Sequence, residues 1–225
     1  PNVNSHFGIM DVCGFPKNIY YYYKSWWTDE DVIHISPHWN WNEKIGQPIE
    51  VWVNSNADDV ELFLNGKSLG KKTMPRNSHL KWEVIYEPGT LEAIGYKKGK
   101  KISTKVETTS TPYKVIATTE KNILTADGKD ATVVNISIVD EKGREVPVAD
   151  NMVKFFLKGD AKIIGVGNGD PSSHEPDQFL DGAWQRSAFN GKCQVIILSG
   201  KTKGEFQLEV KSNGLASDVI SFTQK

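Results

Sequence analysis

The sequence predicts an all-β protein in which two tandem immunoglobulin-like β-sandwiches follow one short helical segment. Three observations support this prediction. Apolar and polar residues alternate from about Val32 to the C-terminus, as they do in half-buried strands. Turn-forming residues separate the alternating runs at short intervals. Large apolar residues recur with helical spacing near the N-terminus, and no long helix is indicated after residue 30.

The helix is predicted over Asn18–Trp27. Pro16 can precede a first helical turn, and Lys24 falls on the solvated side. The aromatic residues that recur with helical spacing are Tyr20, Tyr23, Trp26 and Trp27. Such an aromatic run is too rich for an exposed surface. We therefore expect the helix to lean on the first sandwich or on another copy of the chain.

The first sandwich is predicted over residues 31–110. Its strands are indicated by alternation in residues 49–53, 60–64, 82–86, 91–96 and 102–106. Asn65-Gly66 tolerates the positive φ of a tight two-residue turn and therefore predicts a β-hairpin. Pro88-Gly89 predicts a further turn between two of these strands.

The second sandwich is predicted over residues 111–225. A short polar stretch that ends in Pro112 is typical of a linker between two compact units. Strands are indicated at residues 113–117, 133–140, 152–157, 162–166, 193–198, 206–210 and 219–223. About seven short strands with turn signals between them fit an immunoglobulin-like sandwich, although the Cys…Trp…Cys pattern of antibody domains is absent.

The balance of charges restricts the classes of partner. The chain has 27 basic and 28 acidic side chains and a formal net charge of -1. Such a chain has no long-range field to recruit nucleic acid or an anionic membrane. No apolar stretch approaches the roughly 20 residues that span a bilayer, and no signal-peptide pattern opens the sequence. Partners should therefore be neutral or locally recognised.

The sequence predicts no metal site and no cofactor. Cys13 and Cys193 are far apart and fall in different predicted domains, so they behave as small apolar residues rather than as a disulfide framework or zinc ligands. His34 and His38 lack a third ligand with suitable spacing. The aspartates Asp127, Asp130 and Asp140 lack the alternating ligands of a calcium loop, and the sequence leaves bound calcium undecided. The glycines of residues 165–169 precede no helix that could bind phosphate.

Two acidic segments are candidates for catalysis. Asn42-Glu43 has the form of the acid/base in many retaining glycosidases, but no second carboxyl group accompanies it in the sequence. The polar loop of residues 167–177 contains Asp170, His174, Glu175 and Asp177. Side chains of this kind more often bond to the local backbone of a turn. We therefore assign no catalytic residue.

Tryptophans are candidates for sugar contact because aromatic rings stack on sugar faces. The tryptophans to consider are Trp39, Trp41, Trp52 and Trp184. The carbohydrate-contact candidates among them are Trp39, Trp41 and Trp184. Packing at a domain junction is the favoured alternative for such residues.

Several long motifs resemble the C-terminal region of glycoside hydrolase family 2 β-galactosidases. Residues 7–11 (FGIMD), 14–18 (GFPKN) and the tyrosine-rich helix resemble the end of the catalytic (β/α)8 barrel. Residues 37–41 (PHWNW), 60–70 (VELFLNGKSLG) and 86–93 (YEPGTLEA) resemble the β-sandwich that follows the barrel. Three motifs resemble the final, invasin-like immunoglobulin domain: residues 124–130 (LTADGKD), 165–171 (GVGNGDP) and 188–191 (AFNG).

The resemblance implies a function for the parent protein rather than for the chain. Residues 1–30 would be the C-terminal remnant of the barrel, and both catalytic glutamates of the family would lie upstream. The parent would hydrolyse terminal β-galactosides in the periplasm or outside the cell, while this region would be inactive and pack beside the barrel. The resemblance also allows a homo-oligomer. Alternatives are a carbohydrate-binding module and a tandem immunoglobulin-like spacer or adhesin.

Overall fold

Strands dominate the chain, as the alternating pattern predicts. The computed structural model describes residues 7–225, and these form two units. One unit comprises residues 16–108, and the other comprises residues 109–225 together with residues 7–15. Residues 7–30, which the resemblance groups as one piece, are thus divided between the two units.

The unit of residues 16–108 has one helix, α1 (Asn18–Trp27), and a short 3-10 turn at Asn42–Lys44. Its strands are β1 (Ile33–Ser36), β2 (Pro48–Ser55), β3 (Asp59–Leu64), β4 (Lys67–Thr73), β5 (Leu80–Ile85), β6 (Thr90–Lys97) and β7 (Lys100–Glu107). They form two antiparallel sheets with the orders β1-β2-β5 and β4-β3-β6-β7. The alternating residues of the two sheets meet in a core that includes Val51, Leu62 and Leu91.

The hairpin predicted at Asn65-Gly66 joins β3 to β4. Asn65 has a φ of 50° and Gly66 has a φ of 80°. Two central residues with positive φ are what a tight hairpin turn of matching twist requires, and asparagine and glycine adopt that conformation most readily. The prediction is confirmed.

Helix α1 is confirmed with the predicted bounds, and it packs on β1 and β2. The indole N–H of Trp26 donates to the carbonyl of Ser78 at 3.0 Å, and the Tyr22 hydroxyl donates to the carbonyl of Asn77 at 2.8 Å. The ring of Tyr21 stacks on His34. The helix therefore leans on the first sandwich as expected, but through a face that includes Tyr21 and Tyr22 rather than Trp27, which is 77% exposed.

The strands of the second unit are β8 (Lys114–Thr118), β9 (Ile123–Leu124), β10 (Ala131–Val139), β11 (Met152–Lys158), β12 (Ala161–Gly167), β13 (Trp184–Ser187), β14 (Lys192–Ser199), β15 (Gly204–Ser212) and β16 (Asp218–Gln224). They form sheets with the orders β12-β14-β10-β8 and β13-β11-β15-β16-β9. Phe206 and Phe222 stack in the core with their ring centroids 4.7 Å apart. The all-β fold class is confirmed.

Strands β9 and β13 have no counterpart in the sequence prediction. β9 contains only two residues and pairs in parallel with β16, far away along the chain. β13 places a charged residue, Arg186, at its buried position, so the alternation that marks a strand is missing. Within the described part of the chain, no helix combines the length and the apolar character needed to cross a membrane.

Candidate functional site

Trp39 is not available to a sugar. Its side chain is completely buried in the core of the first sandwich, where its ring lies 5.0 Å from that of Tyr86. The indole N–H donates to the carbonyl of Glu87 at 3.0 Å, and the Thr108 hydroxyl donates to the carbonyl of Trp39 at 2.7 Å. These contacts hold the strand end at Tyr86 and the end of the unit together. This candidate is therefore corrected to a packing residue.

Trp41 and Trp184 keep part of their surface exposed, each within its own unit. The Trp41 ring stacks on His38, its indole N–H donates to the carbonyl of His38 at 2.8 Å, and the Lys44 ammonium lies 4.6 Å from its ring centroid. Trp184 packs against the core of the second sandwich, with the Phe179 ring 5.9 Å away. Both remain predicted sugar contacts.

Glu43 lies in the short 3-10 turn and is exposed to solvent. Burial lowers the pKa of the neighbouring His38, while the charge of Glu43 opposes that shift. A solvated carboxylate on a surface turn lacks the rigid, desolvated setting of a glycosidase acid.

The polar loop of residues 167–177 is held by its own side chains. The Asn168 amide donates to the carbonyl of Ser187 at 2.8 Å, and its oxygen accepts from the backbone N–H of Asp170 at 3.1 Å. One Asp170 oxygen accepts from the N–H of Ser172, and one Glu175 oxygen accepts from the N–H of Ser187, both at 2.8 Å. These acids therefore shape the loop.

Arg186 is the buried charge at the centre of this loop, and the sequence analysis did not single it out. It is 6% exposed. Its guanidinium donates to the carbonyl of Glu175 at 2.7 Å and to the side-chain oxygen of Asn168 at 3.2 Å. The Glu175 carboxylate lies 3.8 Å from its Nε. A planar group with several donors can hold two parts of a loop at once.

Residues 11–15 form a hook on the second sandwich. One oxygen of Asp11 accepts from the backbone N–H groups of Cys13 and Phe15, both at 2.9 Å. The Gln194 amide donates to the carbonyl of Cys13 at 2.8 Å. A Cβ atom on Gly169 would lie 2.0 Å from the other Asp11 oxygen, so only glycine leaves room for the hook at that position.

The two cysteines are free thiols. Burial, reinforced by the charge of Asp11, raises the pKa of Cys13 to about 11. Burial likewise raises the pKa of Cys193. Thiols held protonated in this way are poor nucleophiles and poor metal ligands.

The remaining aspartates also stabilise turns. Asp127 accepts from the N–H groups of Lys129 and Asp130, and Asp130 accepts from Thr125 and pairs with Lys121. Burial opposes the ionisation of Asp140, but hydrogen bonds from Arg144 and from backbone N–H groups outweigh it and hold the pKa of Asp140 well below its usual range. Among residues 7–225, no three histidine, cysteine, aspartate or glutamate side chains are placed to hold a metal ion.

An aromatic groove lies within the unit of residues 16–108, and the sequence analysis did not predict it. Its volume is about 610 Å³. Strands β1 and β2 supply its floor through Ser36, Trp52 and Asn54, while α1 and the segment of residues 77–79 also line it. The register pairs Ser36 with Trp52 and His34 with Asn54, so these side chains belong to one face of the sheet.

Comparison with known proteins places these features in a family. Residues 116–221 match the model described as Glycoside hydrolase family 2 C-terminal domain 5, and residues 46–103 match Domain of unknown function (DUF4982). The chain is 44% identical over 226 residues to Beta-galactosidase BoGH2A of Bacteroides ovatus, a match that covers 99% of this chain and 26% of that protein. The chain belongs to the C-terminal region of glycoside hydrolase family 2.

Other relatives of this family 2 region differ in name. A Beta-glucuronidase of Formosa agariphila is 31% identical over 179 residues, which cover 77% of this chain and 18% of that protein. The crystal structure of a β-glycosidase from Bacteroides vulgatus has a TM-score of 0.92 at 34% identity and covers 97% of this chain and 28% of that one. The family 2 region thus spans 28% or less of each of these three relatives.

Proposed function

We propose that the chain is a non-catalytic accessory region of a β-galactosidase-like family 2 glycoside hydrolase, and that it packs beside the catalytic barrel of its parent. The observation that carries this proposal is the 44% identity, over 99% of the chain, to Beta-galactosidase BoGH2A of Bacteroides ovatus. The parent would hydrolyse terminal β-galactosides. Two relatives from Formosa agariphila, named Putative beta-glucuronidase and Beta-glucuronidase, are 40% and 31% identical, so the choice of the galactoside rests on the 44% match alone.

The use of the carboxylates supports the non-catalytic part of the proposal. Asp170 and Glu175 accept hydrogen bonds from backbone N–H groups of their own loop and of β13, and Asp127 accepts from two N–H groups of its turn. A carboxylate that holds a loop in this way cannot move freely to protonate a leaving group.

The hook of residues 11–15 supports the packing role. The segment is tied to the second sandwich through Asp11, Cys13 and Gln194, and Gly169 gives it room. The Lys192 ammonium lies 5.3 Å from the ring centroid of Phe15. Because this segment packs on the last sandwich, it would link that sandwich to the catalytic barrel of the parent.

Hydrolysis assays on the 225-residue chain test the non-catalytic role. With p-nitrophenyl β-galactoside and p-nitrophenyl β-glucuronide, we expect no turnover above buffer. Turnover of either substrate that Glu43→Gln abolishes would overturn the proposal. Glu141→Gln, another exposed glutamate, serves as the matched control.

The substrate of the parent needs a separate assay. We expect the full-length gene product to release p-nitrophenol from the β-galactoside with the higher kcat/KM. A preference for the β-glucuronide would contradict the galactosidase assignment but leave the accessory role of this region standing. The periplasmic or secreted location of the parent stays a prediction that cell fractionation would check.

A further inference from the structure

The aromatic groove contains two polar side chains that bond to no other part of the described chain. Asn54 is 4% exposed and Ser36 is 7% exposed, and both line the groove. Within the described residues, neither side chain takes part in a hydrogen bond with the protein, and neither has a polar atom among the fully buried ones without a partner, so both polar ends keep contact with the space of the groove. An amide and a hydroxyl that stay unpaired at the floor of a groove are free to bind a polar ligand.

Apolar surface lies beside these polar groups. The Trp52 and His79 rings stack with their centroids 4.2 Å apart and their planes inclined by 13°. Ile19 and Pro37 add aliphatic surface to the same groove. The Tyr22 hydroxyl, through its bond to the carbonyl of Asn77, fixes one wall against the helix. The groove thus combines carbon surface with a few fixed polar groups, which is the usual character of a small-molecule site.

The charges at the groove are balanced and offer an anion no unpaired positive group. Glu50 lines it, and one of its carboxylate oxygens accepts from the Trp52 indole N–H at 2.6 Å. Burial and the nearby charge of Lys81 lower the pKa of His79, which is therefore neutral at neutral pH. Among residues 7–225, neither lysine nor arginine lines the groove. The Lys81 ammonium lies 3.8 Å from the Glu50 carboxylate and 4.3 Å from the Trp52 ring centroid, so the negative charge of Glu50 is already paired. A carboxylate or phosphate ligand would lose its hydration without gaining an unpaired positive partner.

We propose that this groove binds a neutral pyranose ring, either as a simple glycoside or as one residue of an oligosaccharide. A pyranose has an apolar face of C–H groups, which suits the Trp52–His79 surface, and a rim of hydroxyls, which suits Asn54 and Ser36. The volume of about 610 Å³ accommodates one such ring or two. This binding site does not depend on the accessory role proposed above.

Titration of the isotope-labelled 225-residue chain tests the site. The probes are methyl β-galactopyranoside, methyl β-glucopyranoside and methyl β-glucuronide, and the readout is the Trp52 indole N–H resonance. We expect a saturable shift with at least one neutral glycoside and weaker binding of the glucuronide. The absence of saturation with both neutral glycosides, or equally tight binding of the glucuronide, would overturn the proposal.

Variants locate the binding on the floor of the groove. Asn54→Leu keeps the approximate volume and removes the amide, so we expect it to raise the dissociation constant about tenfold, as the loss of a hydrogen-bonding group in a binding site does. Trp27→Ala, which removes an exposed tryptophan outside the groove, should leave the dissociation constant unchanged. Glu50→Gln should reduce the difference in dissociation constant between the neutral glycosides and the glucuronide.

Unchanged binding by Asn54→Leu would overturn the proposal. Because a variant that fails to fold would also lose binding, each variant is first compared with the wild type by thermal unfolding and by its amide spectrum. If Asn54→Leu does not fold, Ser36→Ala replaces it with the same criterion.

Discussion

Two asparagines of this chain are almost equally buried but are used in opposite ways. Asn168 in the polar loop is 3% exposed, and Asn54 in the aromatic groove is 4% exposed. Asn168 donates to Ser187 and accepts from Asp170 and Arg186, whereas the Asn54 side chain bonds to none of residues 7–225. The Asn168 amide is thus used to hold its loop, whereas the equally buried Asn54 amide stays available to a ligand in the groove.

Removal of Arg186 should destabilise the protein most, because this residue holds the polar loop of Asn168. Arg186→Leu removes the donors to Glu175 and Asn168 and leaves the Glu175 carbonyl without its partner. We expect a loss of about 3 kcal/mol in the free energy of unfolding, near the lower bound for breaking a buried ion pair because Glu175 is partly exposed. Urea denaturation would measure it. Arg76→Leu is the exposed control, and equal stability of the two variants would contradict the role of Arg186.

Asn168→Leu should have the next largest effect. The change keeps the approximate volume but leaves the Ser187 carbonyl without its donor and the Asp170 N–H without its acceptor. We expect a loss of about 2 kcal/mol, since unpaired buried backbone groups bear their full desolvation penalty. The same denaturation measurement applies. A stability within about 0.5 kcal/mol of the wild type would show that the loop is not held by this side chain.

Gly169→Ala tests whether the hook of residues 11–15 needs the open space beside it. The added methyl group would collide with a carboxylate oxygen of Asp11, whose other oxygen is held by two backbone N–H groups. We expect a loss of about 1 to 2 kcal/mol and faster proteolysis of residues 7–15. Gly165→Ala is the matched control, because its nearest neighbour would be at an ordinary 3.7 Å. Similar behaviour of both variants would contradict the steric explanation.

The strands could be predicted because burial of every second residue requires an alternating apolar and polar pattern within each strand. Val60, Leu62 and Leu64 are all buried along β3, and the turn at Asn65-Gly66 is encoded by its own two residues. The helix could likewise be predicted from its own residues. Its packing face could not, because Tyr21 stacks on His34 of β1 and the periodicity of the helix does not encode that contact.

The functional features could be predicted only in part. Trp39 was a reasonable sugar candidate in the sequence, but its burial depends on Tyr86 and Thr108, which are distant along the chain. The groove depends on sheet register, which brings Ser36 opposite Trp52. No local pattern marks an unpaired Asn54, because the absence of a hydrogen bond is a property of all its neighbours together.

Asn54→Leu should change the free energy of unfolding least. The sign of that change distinguishes the Asn54 amide from the Asn168 amide. Since Asn54 has no hydrogen-bond partner among the described residues, its removal breaks no bond and adds apolar surface to the floor of the groove. We expect a free energy of unfolding unchanged or raised by up to about 1 kcal/mol, in contrast to the loss in Asn168→Leu. Residues kept for binding are often not optimal for stability. A loss of about 2 kcal/mol, similar to that of Asn168→Leu, would mean that the two buried amides are equivalent and that the groove is not an open site.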